Sequence, residues 1–372
     1  MISRNVRWRM LPLCFGLAAC APLKPAVQDA LTAVDAVPSF AVDPGWPDGL
    51  PNGWILGQVT GVAVDANDRV WVLHRPATLS DTERAAETDP PSARCCKAAP
   101  PLLVFNADGS LAKAWGEPGG GEGRGATWPQ REHSLAIDPR DNSVWLAGND
   151  ADDGFIVKYD SEGQFILRIG EKGPSLGNAS ILRLGRPAGL VVDPAANEVF
   201  VADGYANNRV IVFDAATGRH LRHWGAYGER PSDSASAADP LRQLSQPHGI
   251  SLMGDDLLVV GDRPNKRIQI FRRNGTFVRE IFDPTPFERT VWDAVPWPRA
   301  NSRWLLVADG VNNEIRVLDL ASGAVHGRVG QQGPYAGQFR TLHNVAVNRR
   351  GDIFTAELGE GKRVQRFVVK RR

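Results

Sequence analysis

Seven histidines occur in the 372 residues, and three of them share one position in a recurring segment. His133 precedes Ser134-Leu135-Ala136-Ile137-Asp138, His248 precedes Gly249-Ile250-Ser251-Leu252, and His343 precedes Asn344-Val345-Ala346-Val347-Asn348. One histidine at a strand start is ordinarily a satisfied or solvated side chain. Three in one register are different, because three imidazoles with a fourth position open form the donor set of a catalytic zinc site. Arg75, Tyr205 and Arg263 each lie at the end of a second apolar run (Val70-Trp71-Val72-Leu73, Val199-Phe200-Val201-Ala202 and Leu257-Leu258-Val259-Val260). A guanidinium can fork a carboxylate, and a phenol beside a metal can accept a proton. The plainer alternatives are ion pairs for Arg75 and Arg263 and aromatic packing for Tyr205. Of the other histidines, His220, His223 and His326 fall in outer segments and read as surface residues, while His74 follows an inner run and stays open.

The elements that must position these residues are repeats. Six times an apolar run is followed by a turn and a second run: Gly61 to Asp65 then Val70 to Leu73, Ser134 to Asp138 then Val144 to Ala147, and Gly189 to Asp193 then Val199 to Asp203. Gly249 to Leu252 leads to Leu257 to Asp262, the degraded Ala294-Val295-Pro296 leads to Trp304 to Asp309, and Asn344 to Asn348 leads to Ile353 to Ala356. A third strand follows each pair, and most units add a fourth. Four short β-branched strands per unit predict an all-β, six-bladed β-propeller. The equivalent position at the start of the innermost strand reads Thr60, His133, Ala188, His248, Asp293 and His343. Histidine on every second blade places the three side chains about 120° apart around one axis. The start of strand one and the end of strand two share one end of an antiparallel blade, so Arg75, Tyr205 and Arg263 should rim the same mouth. Long connections (116–131, 171–187, 226–246, 283–292) and the 76–100 loop should wall it. The last unit stops after three strands, and Ser39-Phe40-Ala41-Val42 is the available fourth.

Composition narrows the function classes. There are 43 basic and 42 acidic residues, a net charge of +1, so no nucleic-acid footprint of charge is present. No apolar run reaches the length of a spanning helix. Arg4, Arg7 and Arg9 precede a short apolar stretch, which predicts an export signal over residues 1–19. Its end, Leu17-Ala18-Ala19-Cys20, resembles the lipobox of bacterial lipoproteins. That resemblance implies lipidation at Cys20, export to the periplasm or cell surface, and attachment to the outer membrane. Membrane contact is then through the lipid alone. An Ala- and Pro-rich stretch makes residues 20–50 a tether containing the closing strand, and residues 51–372 the propeller, expected to be a monomer. Export permits disulfides; Cys95 and Cys96 could form a vicinal one or remain thiols.

The units resemble NHL repeats, on the apolar-Asp turns and on Asp203-Gly204-Tyr205-Ala206-Asn207-Asn208-Arg209 and Asp262-Arg263-Pro264-Asn265-Lys266-Arg267. The chain also resembles the peptidyl-α-hydroxyglycine α-amidating lyase family. The matching segments are Gly61 to Asp65 with His74-Arg75, His133-Ser134-Leu135, Asp203-Gly204-Tyr205, Gln246-Pro247-His248, Asp262-Arg263 and Leu342-His343-Asn344. The resemblance implies zinc on His133, His248 and His343, and a small-molecule or peptide substrate met by Arg75, Tyr205 and Arg263. It implies cleavage of a peptidyl-α-hydroxyglycine to a peptide amide and glyoxylate. It further implies a structural calcium at Val62, Leu135 and residue 344. Asn344 stands where the family has Asp, which removes a charge that calcium would use. Ala206 replaces a family cysteine, so that disulfide cannot form. The monooxygenase domain beside the animal lyase is expected to be absent, leaving the substrate to another protein. Two further readings are a non-enzymatic propeller binding a peptide, glycan or envelope protein, and a calcium-dependent lactonase or esterase, for which Asp293 and Asn344 would be ligands.

Overall fold

The computed structural model describes residues 36–116, 128–233, 240–297 and 303–370. The expected signal and the lipidation site at Cys20 lie outside the described residues, and no helix among them is long and apolar enough to cross a membrane. Six four-stranded antiparallel sheets follow one another along the chain. Their innermost strands are Gln58–Val64, Glu132–Ile137, Gly189–Asp193, Pro247–Met253, Asp293–Pro296 and Leu342–Val347. Each sheet then runs outward in sequence order. The exception is blade 6, whose outer strand is Phe40–Asp43, paired antiparallel with Val364–Val369 from Phe40↔Val369 to Asp43↔Arg366. A strand from near the start of the chain thus covers the edge that the last blade would expose.

The sequence builds blades because its central strands are apolar on both faces. Val70, Trp71, Val72 and Leu73 are fully buried, as are Val199 to Ala202 and Leu258 to Val260. Such a strand must have a sheet packed on each side. The core accordingly consists of six clusters, one between each pair of neighbouring blades. The cluster joining Phe354, Ala356 and Val364 of blade 6 to Val59, Val70 and Leu103 of blade 1 closes the ring. The fold is an all-β six-bladed propeller.

The repeat motif works as a clamp at the mouth. Asp203, at the end of a second strand, receives Arg209 Nε (2.9 Å) and Asn207 Nδ2 (2.7 Å), and its other oxygen accepts from Gly185 N in the incoming loop (2.5 Å). Asp262 does the same with Arg267, Asn265 and Ser245 N. These clamps fix the chain just before Tyr205 and Arg263. The expected mouth residues are therefore anchored by their own repeats.

Candidate metal centre

Four inner strands carry a β-bulge at their mouth end, where the register slips between Val59 and Gly61, Glu132 and Ser134, Pro247 and Ile250, and Leu342 and Asn344. Such a bulge re-aims a side chain. In three of the four, the displaced segment holds a histidine. His133, His248 and His343 are brought together on the axis, with ring centroids 5.2, 4.9 and 5.1 Å apart pairwise. All three are buried, and one ring nitrogen of each lies within 4.8 Å of the others.

Each imidazole is fixed by the blade that follows it. His133 Nδ1 lies 3.0 Å from the Ala188 carbonyl, His248 Nδ1 2.7 Å from that of Trp292, and His343 Nδ1 2.6 Å from that of Thr60. A carbonyl only accepts, so each Nδ1 carries the proton and each Nε2 presents a lone pair. Even-numbered blades supply histidines, and odd-numbered blades supply the carbonyls that orient them. Double protonation is opposed by burial: desolvation pushes His343 down to about 3 and holds His133 and His248 well below the usual histidine range.

Three lone pairs therefore need donors. The Tyr205 hydroxyl reaches two of them, at 2.9 Å from His133 Nε2 and 3.2 Å from His248 Nε2, but it has one proton to give. His343 Nε2 is buried with no partner. An unsatisfied buried acceptor costs about 1–3 kcal/mol, and two are left. Three converging neutral imidazoles, each donating its other N–H to a backbone carbonyl, fit a metal such as zinc.

Tyr205 is half-buried and reaches the axis because Gly204 lets the chain run against Pro247; a Cβ on Gly204 would sit 2.0 Å from that carbonyl. Arg75 is buried, with Nε donating to the Glu132 carbonyl (2.6 Å) and Nη2 to Asn149 Oδ1 (3.0 Å). Arg263 is buried with its Cζ 3.5 Å from the Trp292 ring centroid, a cation–π stack, and its Nε unpartnered. Burial lowers both guanidiniums to about 10; a nearby arginine, Arg131 for Arg75 and Arg289 for Arg263, adds to it, and the Tyr205 phenol works the other way. Neither arginine has a carboxylate in salt-bridge range among the described residues.

Other expectations meet a different arrangement. Position five of the axial register is Trp292, not Asp293: Trp292 N bonds to Ala308 O as Ala188 N bonds to Ala202 O, so Asp293 falls one residue beyond, level with Ser134 and Asn344. The degraded fifth unit lacks the markers that fix its register in sequence, which hides Trp292; the counterpart of Leu342-His343-Asn344 is Val291-Trp292-Asp293. Asn149 and Arg186 were missed too, since they lie in loops with no repeat pattern. The residues expected to hold calcium do meet, but through hydrogen bonds: Asn344 Oδ1 accepts from Val62 N (2.7 Å), and Asn344 Nδ2 donates to Asp293 Oδ2 (2.6 Å). The amide oxygen is spent and Leu135 takes no part in this network, so the set does not fit calcium. Burial raises Asp293 to about 6. His74 is buried away from the axis, its Nδ1 accepting from Gly57 N and its Nε2 facing the Pro100 carbonyl. It anchors the 76–100 loop, where Cys95 and Cys96 form a vicinal disulfide.

Comparisons with known proteins agree with this architecture. The NHL repeat family model matches residues 184–213 and 244–271. Peptidylglycine alpha-amidating monooxygenase of Rattus norvegicus is 26% identical over 235 residues, 62% of this chain but 22% of the rat protein. The chain thus spans about a fifth of that relative's length. A probable peptidyl-alpha-hydroxyglycine alpha-amidating lyase of Caenorhabditis elegans is 23% identical over 319 residues, 82% of this chain and 80% of the worm protein. Among solved structures, a streptogramin B lyase superposes with a TM-score of 0.53 at 14% identity, over 89% of this chain and 98% of the other. That last likeness supports the fold. The chain is a distant homologue of proteins named as lyases.

Proposed function

We propose that the chain is a zinc-dependent carbon–nitrogen lyase that converts an α-hydroxyglycine-type carbinolamide into an amide and glyoxylate. The observation that carries the reading is the set of three buried, oriented Nε2 lone pairs with at most one proton among them. When held by His133, His248 and His343, zinc would supply a Lewis acid that eases loss of a proton from the substrate hydroxyl. Tyr205, whose oxygen already lies beside two of those nitrogens, takes up that proton as the C=O bond forms while handing its own phenolic proton to the nitrogen of the breaking C–N bond. The phenol ends as it began, and the net proton count is unchanged. Arg263, with a free Nε and a guanidinium held flat on Trp292, receives the substrate carboxylate. Arg75, pinned by Glu132 and Asn149, supplies a second positive edge. Burial of Arg75 and Arg263 strengthens their charge interactions in the mouth. Calcium has no place in this reading. The same proposal puts the protein outside the cytoplasm, anchored through a lipid on Cys20 and acting as a monomer.

The test is release of glyoxylate from an N-acyl-α-hydroxyglycine by the purified full chain. Glyoxylate formed with zinc, and abolished by a chelator, supports the proposal. A zinc-loaded protein that leaves the compound intact contradicts it.

A further inference from the structure

Arg186 lies in the connection between blades 2 and 3, two residues before Ala188, whose carbonyl orients His133. Its backbone adopts a left-handed conformation, φ 58°, which is costly for a long side chain and persists only where its surroundings hold it. Those surroundings are visible. Arg186 Nε donates to the Asn149 carbonyl at 2.8 Å, and its Cζ sits 5.6 Å from the Tyr205 ring centroid. Asn149 is buried and also accepts Arg75 Nη2 through its side chain. One residue thereby fixes two guanidiniums beside the same phenol.

The buried arginines of the repeats are neutralised: Arg209 by Asp203, Arg267 by Asp262, and Arg316 by Asp283 and Asp309. The mouth differs. Among the described residues, Arg75, Arg186 and Arg263 have no carboxylate in salt-bridge range. The two terminal nitrogens of Arg186 also make no hydrogen bond there. One carboxylate is satisfied by one guanidinium in a bidentate fork. Arg75 feels the Glu132 and Asp153 carboxylates only at longer range, so three guanidiniums without a direct ion pair surround Tyr205 and match a ligand with more than one negative charge.

We propose that Arg186 forms a second anion-binding position in this mouth, and that the preferred substrate carries a carboxylate on its acyl side as well as on the hydroxyglycine. The chemistry recognised is a dicarboxylate, such as an acidic residue or a dicarboxylic acyl group ahead of the reacting carbon. The lyase reading supplies the reacting carbon; the second anion position follows from the guanidiniums that lack a direct ion pair.

The experiment measures binding of glutarate and of valerate, which differ by one carboxylate, to the zinc-reconstituted full chain by calorimetry. Glutarate should bind at least about tenfold more tightly. Arg186→Gln should remove that preference while moving valerate affinity by less than about twofold, and Arg186→Lys should keep part of it because charge remains without the fork. Equal affinities in the unaltered protein, or a preference that survives Arg186→Gln, overturn the inference. Turnover of butyryl- and succinyl-α-hydroxyglycine is followed in parallel. Cleavage of both at equal efficiency sinks the second anion position and leaves the lyase reading intact. A glutarate preference lost in Arg186→Gln, with neither compound cleaved, upholds the position and removes the lyase chemistry.

Discussion

Two layers of the central channel lie one residue apart and have opposite polar balance. In the layer of His133, His248 and His343, the backbone satisfies every Nδ1 and leaves the Nε2 atoms short of protons. In the next layer, Asn344 gives its oxygen to Val62 N–H and its nitrogen to Asp293, whose carboxylate also accepts from Ala294 N and Val345 N. That second layer ties blades 5, 6 and 1 together with hydrogen bonds and needs nothing added. The first is oriented but incomplete. A ligand site in a propeller is therefore found where neighbouring blades orient polar groups without pairing them, not simply where polar residues line the axis.

The difference can be broken from either side. The largest effect is expected for His248→Ala, which removes one of the three proposed ligands. Bound zinc should fall to background by atomic emission, and glyoxylate release should drop by more than the roughly 100-fold typical of losing a metal's supporting residues. Tyr205→Phe should retain zinc yet lower turnover by about 10²–10⁴-fold, the usual worth of a positioned proton carrier; unchanged turnover would remove Tyr205 from the mechanism. In the second layer, Asn344→Asp sets a carboxylate against Asp293. We expect a loss of about 3 kcal/mol in denaturant unfolding without a cation. Calcium should recover part of that loss, whereas the unaltered protein should not respond to calcium. The smallest effect is expected for Trp292→Leu, which takes the ring from Arg263 but keeps the backbone carbonyl on His248. KM should rise by roughly tenfold, the scale of a partly desolvated cation–π contact, with zinc content unchanged.

Much of this arrangement was legible in the chain. The blades were readable because strands covered on both faces become uninterrupted apolar runs, as at Val70 to Leu73. The histidine register was readable because the bulges of blades 2, 4 and 6 recur at the same place in the repeat. Legibility failed in blade 5, where Pro296 ends a short inner strand and the usual Gly and Asp markers are gone, so Asp293 stood in for Trp292. It failed again for Asn149 and Arg186, since loop residues acquire their roles from partners far away in sequence: Asn149 from Arg75, and Arg186 from Tyr205. The fate of Asn344 was half visible. A lost charge could be read from the residue type, but its replacement by a Val62 to Asp293 bridge depends on blades brought together only by closure of the ring.

The most direct test of the metal centre is a zinc titration of chelator-treated full chain, followed by thermal unfolding and by metal content after gel filtration. The arrangement of His133, His248 and His343 predicts about one zinc retained per chain. It also predicts a rise in midpoint equivalent to roughly 2.7 kcal/mol when free zinc is a hundred times its dissociation constant, with both effects absent in His343→Ala. A natively folded protein that retains no zinc, and whose unfolding ignores it, would contradict the metal centre outright.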